Sequence, residues 1–213
     1  MLKKLYEKSE IWFAVAWIIA YVVLASIGDN FSADLGIEKI VTLPILIALS
    51  AILYFFVRKN GLAEKYGLCK PQLPAAKMLF YAPLLVLLTA NLWYGVAMNQ
   101  SPVETALYVL SMFCVGFLEE IIFRGFLFKA LCKDGLKQAI LISSMTFGIG
   151  HIINLFTGAE LFSTLLQIAY AISIGYLFTI LFLCTDSLIP CILTHSAVNS
   201  LSCFASEQSI MLE

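Results

Sequence analysis

The stretch GFLEEIIFRGF, residues 116–126, sets Glu119, Glu120 and Arg124 inside a run that otherwise reads as the middle of a membrane helix. Each such charge costs roughly 2.5–3.5 kcal/mol at a helix centre on insertion scales, so the chain needs a strong structural or chemical reason to keep three of them there. Outward in both directions the sequence stays apolar, and the reading of this segment as a span decides the reading of the whole.

Of 213 residues, 61% are hydrophobic and 13% charged, against about one half and one quarter in soluble domains. A span needs roughly 17–25 mostly apolar residues. Seven segments qualify: 11–28, 40–57, 78–98, 104–123, 138–156, 161–184 and 187–205. The expected fold is an all-α, polytopic transmembrane helix bundle of about seven spans, embedded in a lipid bilayer, with no room for a soluble domain and no basic surface for nucleic acid. The expected organisation is an N-terminal hairpin with a basic loop (1–77), a third span with its outer loop (78–103), a four-span bundle (104–205) and a short tail (206–213). The opening MLKKLYEKSE resembles the basic front of a signal peptide, but the apolar run after it is long and lacks a clean cleavage pattern, so it reads as an uncleaved helix. The six cysteines show no CxxC or metal-type spacing and read as apolar fillers.

Charge sets the expected orientation. Lys3, Lys4 and Lys8 precede the first span, Arg58, Lys59, Lys65, Lys70 and Lys77 lie between the second and third, and Lys129, Lys133 and Lys137 follow the fourth. By the positive-inside rule these loops and the N-terminus are cytoplasmic, in a cell membrane read as bacterial. Lys39 alone falls on the other side, in a loop with Asp29, Asp34 and Glu38. After Arg124 the sequence predicts a bend at Gly125 and a surface segment carrying Lys129 and Lys133, and Asp186 with Ser187 reads as the cap of the last helix.

The chain has only two histidines, and both lie in apolar spans: His151 in FGIGHIIN and His195 in LTHSAVN. Ionisable groups within a membrane face a bundle interior or a wet cavity and partner one another. Glu119 and Glu120 on the fourth span, His151 and Asn154 on the fifth, and His195 and Asn199 on the seventh therefore point to one shared site. Helical spacing sorts them. Glu120 and Arg124, four apart, can neutralise each other, while Glu119 points about 100° away with a free carboxylate. Phe147 and His151 share a face, as do His195 and Asn199, and Gly116, Gly148 and Gly150 would let the helices approach closely. A desolvated carboxylate suits general-base work near neutral pH, an imidazole can share the proton of an attacking water, and imidazole and amide donors can hold an oxyanion. Together these describe hydrolysis of a carbonyl, most simply a peptide bond.

Taken singly, each group has a plainer reading: Glu120 with Arg124 as a structural pair, each histidine as an interhelical hydrogen-bond partner, the asparagines as polar glue. Packing alone does not require every histidine and both intramembrane carboxylates in three helices. A proton-coupled transporter using Glu119, His151 and His195 as a relay is one alternative, against which stands the lack of an internal repeat. A non-catalytic immunity or scaffold membrane protein is another.

EEIIFR (119–124), FGIGH (147–151) and HSAVN (195–199) resemble, in order and spacing, the three motifs of the CPBP family of intramembrane proteases, which takes in CAAX prenyl proteases and the Abi-like, bacteriocin-processing proteins. The resemblance implies an endopeptidase acting on a membrane-associated protein or peptide, with Glu119 as water-activating base assisted by His151, His195 and Asn199 as oxyanion donors, and Glu120 and Arg124 in support. Asn154 stands where CAAX-trimming enzymes tend to carry another histidine, so the prenyl-protein substrate does not carry over with the chemistry. The expected cofactor is none. In the alternative, a metalloprotease, zinc is held by Glu119, His151 and His195, a set without HExxH geometry. The site is expected to open toward the cytoplasmic leaflet. Upright helices would set His195 about 12 Å and His151 about 21 Å from the cytoplasmic ends of their spans, a mismatch of depth that the sequence leaves open.

Overall fold

The computed structural model of the chain describes residues 2–72, 82–93 and 95–206. A short helix α1 (Leu2–Lys8) leads into α2 (Glu10–Asp34), which Ser9 starts by accepting a hydrogen bond from the Trp12 N–H. Next come α3 (Thr42–Lys59), the nine-residue α4 (Ala82–Ala90) and α5 (Pro102–Leu131), the last opened by a reciprocal capping box between Ser101 and Glu104 with proline at the first position. α6 (Leu136–Ile149) tightens into a 3₁₀ segment over Gly150–Thr157, and α7 (Leu161–Thr185) and α8 (Ile189–Ser202) complete the chain. Among the described residues the strand content is a single isolated bridge, Val96 with Ala205.

Five of these helices are long and apolar enough to cross a membrane: α2, α3, α5, α6 with its 3₁₀ extension, and α7. Large apolar side chains such as Trp12, Ile19, Phe31, Phe55, Leu141 and Leu166 stay exposed on them, which suits contact with lipid rather than water. The other two expected spans are not among these five within the described residues. Residues 78–81 and 94 of the third lie outside the described residues, and what is described is α4, followed by a turn. The seventh is α8, 14 residues and so about 21 Å long. Of the expected tail, 207–213 lies outside the described residues, as do 73–77 of the basic loop.

The core joins α2, α3 and α5 through aromatic contacts: Phe13 stacks on Phe56 at 5.0 Å and meets Phe126 edge-on at 5.1 Å. Glu10 at the start of α2 pairs with Lys65 at 2.9 Å and Lys133 at 3.0 Å, which gathers the basic loops at one end of the bundle. There burial, reinforced by the hydrogen bond to Tyr6, raises the Tyr66 phenol well above its ordinary range. At the opposite end Asp29 accepts from Lys39 at 2.8 Å and from the Thr42 hydroxyl at 2.6 Å. Through Gly125, where a bend is expected, α5 continues to Leu131 with π geometry over Glu120–Phe128, and Lys133 is held by Glu10 instead of lying on a separate surface helix. The expected capping by Asp186 and Ser187 is not found: the N-cap of the last helix is Leu188, without a side-chain bond, Ser187 accepts from the Ile189 N–H just before it, and Asp186 takes a left-handed conformation that closes α7.

Candidate active site

All nine residues of the π segment Glu120–Phe128 are buried, and they form the floor on which the charges sit. Wide π turns often occur at functional sites. Glu120 and Arg124 keep the spacing of four and pair at 2.9 Å, both fully buried. The same Glu120 oxygen accepts from His195 Nδ1 at 2.8 Å, so a carboxylate of α5 anchors the imidazole of α8. That bond orients the ring: Nδ1 donates to the carboxylate, and Nε2 faces Glu119 Oε2 at 3.5 Å. Arg124 stacks over the Phe147 ring at 4.0 Å and lies 5.7 Å from the Phe178 ring, which shields its remaining faces with aromatic surface.

The helices can bring these groups together because small residues face each other at their crossings. A Cβ on Gly116 would stand 2.2 Å from Ser196 Oγ, so α5 and α8 touch nearly backbone to backbone one residue from His195. A Cβ on Gly148 would meet Ile172 Cγ1 at 2.3 Å, which holds α6 equally close to α7. Gly150, expected to act in the same way, has open space around it.

Above the floor lies a cavity of about 610 Å³, walled by α2 on one side and by Phe147, Gly150, His151, Ile153 and Asn154 on the other. Glu119 lines it; Glu120, Arg124, His195 and Asn199 are not among its lining residues. The two carboxylates thus separate as the helical spacing predicts, one facing the cavity and one facing the arginine. The two histidines do not meet. His151 and His195 flank the Phe147 ring, at 5.5 Å and 5.9 Å, and His151 Nδ1 lies 3.3 Å from the Phe147 carbonyl. His151 sits on the 3₁₀ segment beyond the end of α6, in the cavity wall, whereas His195 bonds the buried Glu120. Asn154 lines the cavity and donates to Gln167 at 2.8 Å, and Asn199 is half-buried one turn beyond His195 on α8.

Sequence reasoning missed Tyr21 of α2, whose hydroxyl donates to Glu119 Oε1 at 2.6 Å. The only available signal was a phenol in mid-span, which when buried usually finds a partner for its O–H. The zinc alternative also meets the geometry here. No group of three or more His, Cys, Asp or Glu side chains among the described residues is arranged to hold a metal ion: Glu119 lies 3.5 Å from His195, but His151 packs on the Phe147 ring away from that pair, so no step is routed through a metal.

The cavity's far end is lined by Asp29, Gly36, Ile37, Glu38, Lys39 and Glu104, at the end of the bundle opposite the basic loops. The expected cytoplasmic opening and the expected cytoplasmic placement of those loops therefore do not hold together.

Comparison with known proteins agrees with the motifs. Residues 101–201 match the family described as type II CAAX prenyl endopeptidase, Rce1-like. Neither the curated proteins nor the solved structures gave a match. The matched stretch contains α5 to α8 almost whole, and with them Glu119, Glu120, Arg124, both histidines and Asn199. Over residues 101–201, somewhat less than half of its length, the chain, a helical membrane protein, matches the Rce1-like family of type II CAAX prenyl endopeptidases.

Proposed function

We propose that the protein is an intramembrane endopeptidase that hydrolyses a peptide bond of a membrane-associated protein or peptide with water activated by Glu119. The observation that carries this reading is the partition of the paired glutamates: Glu119 lines the cavity, while Glu120 is spent on Arg124 and His195. In the proposed step Glu119 takes a proton from water, helped by His151 on the same cavity, and the hydroxide attacks the carbonyl carbon. In this step His195 acts as the imidazolium: its Nδ1–H is held by Glu120, and its Nε2–H, directed toward the reacting centre, steadies the oxyanion together with Asn199. Collapse breaks the C–N bond, and the proton on Glu119 passes to the leaving amine. No metal takes part. The substrate is not assumed to be prenylated, since Asn154 occupies a cavity position where CAAX-trimming enzymes tend to carry histidine.

The test compares membrane peptides from cells carrying the wild type or Glu119→Gln, followed by cleavage of the differing peptide with purified protein after exhaustive chelation. The expected outcome is products that depend on Glu119 and persist in chelator. Identical peptide sets would sink the protease reading, and activity lost to chelator and restored by zinc would sink the metal-free one.

A further inference from the structure

The wall of the cavity facing Glu119 belongs to α2, which lies outside the stretch that matches the family. From that wall Tyr21, buried to 8% exposure, reaches across 98 residues of sequence to donate its hydroxyl proton to Glu119 Oε1 at 2.6 Å. Asp29 and Asn30 lie farther along α2 toward the cavity's far end, about one turn beyond Ser26, so Tyr21 is the polar group of this helix that meets the base. A glutamate side chain turns about three bonds, and an unheld carboxylate would present either oxygen to the cavity. Here the two oxygens differ. Oε1 is taken by a phenol, and Oε2 faces His195 Nε2 at 3.5 Å, beyond direct hydrogen-bond range.

We propose that Tyr21 is a positioning residue for Glu119: its hydroxyl pins Oε1 so that Oε2 alone is presented, beside His195, to take the proton from water. This rests on Glu119 being the base of the reading above. It makes α2 part of the active site, so that α5 to α8 by themselves would hold an unoriented base. The competing role is plain packing, since the Tyr21 ring belongs to the buried cluster that joins α2 to α5. Removing the hydroxyl and keeping the ring separates the two.

The experiment uses full-length Tyr21→Phe in lipid nanodiscs, with a peptide that the wild type cleaves. A hydrogen bond to a charged group is lost, so kcat is expected to fall roughly 10- to 100-fold, with KM and the thermal midpoint unchanged. The infrared carboxylate band assigned to Glu119 by difference against Glu119→Gln is expected to move in Tyr21→Phe, a change that packing alone would not produce. An unmoved band, an unchanged kcat, a rise in KM alone, or failure of Tyr21→Phe to accumulate would each overturn the proposal. If the wild type cleaves nothing while the band still moves, the protease reading itself fails and takes the positioning role with it.

Discussion

One oxygen of Glu120 holds the guanidinium of its own helix and the imidazole of another, so the folding of α5 and the placement of His195 depend on the same carboxylate. Neutralising it in Glu120→Gln leaves Arg124 fully buried with no counter-charge in contact, and breaking a buried pair from one side costs about 3–5 kcal/mol. Glu120→Gln is therefore expected to lower both accumulation in the membrane and the unfolding temperature. Glu119→Gln, which can still accept from Tyr21, should accumulate like the wild type. Equal yields of the two variants would remove the division between scaffold and reagent. The pairing of Glu120 with Arg124 was legible in the sequence because a spacing of four is a local property of a helix. The contact of Tyr21 with Glu119 was not, because one of nine tyrosines in an apolar span has no charge or spacing to mark it, and its partner is set by how α2 packs.

At the scale of elements, the site exists because α5 and α8 approach at Gly116 and Ser196, one turn before Glu120 and one residue after His195. An alanine there would set its Cβ 2.9 Å from the Ser196 backbone nitrogen as well as on its hydroxyl, and backbone cannot swing aside as a side chain can. Overpacking of this kind costs about 1–3 kcal/mol. Gly116→Ala is expected to lower thermal stability by that order and, by parting Glu120 from His195, to reduce the cleavage rate more than the loss of folded protein accounts for. A rate that falls only in step with folded protein would mean that the crossing serves packing alone. The small residues were read correctly at Gly116 and Gly148, where helices cross. The reading failed at Gly150 because α6 gives way to a 3₁₀ segment there, and periodicity of 3.6 cannot foresee where a helix tightens or, as over Glu120–Phe128, widens.

For the whole molecule, the two ends of the bundle are chemically distinct, and sidedness follows from which end meets the cytoplasm. Glu10, Lys65 and Lys133 mark one end; Asp29, Glu38, Lys39 and Glu104 line the cavity at the other. Composition and charge made the membrane class and the ends readable from the sequence, but not the direction of the cavity, which depends on how completely the π segment seals the floor. If the basic end is inside, as lysine and arginine bias predicts, the cavity opens away from the cytoplasm. Cysteines placed singly at Ile37 and Lys59 test this in intact cells with a membrane-impermeant thiol reagent, scored against the labelling of the wild type. Ile37→Cys is expected to label from outside and Lys59→Cys only after permeabilisation. A bulky label at position 37 should also slow cleavage, because Ile37 lines the cavity. The reverse labelling would place the opening in the cytoplasm and show that the basic loops do not set the orientation of this chain.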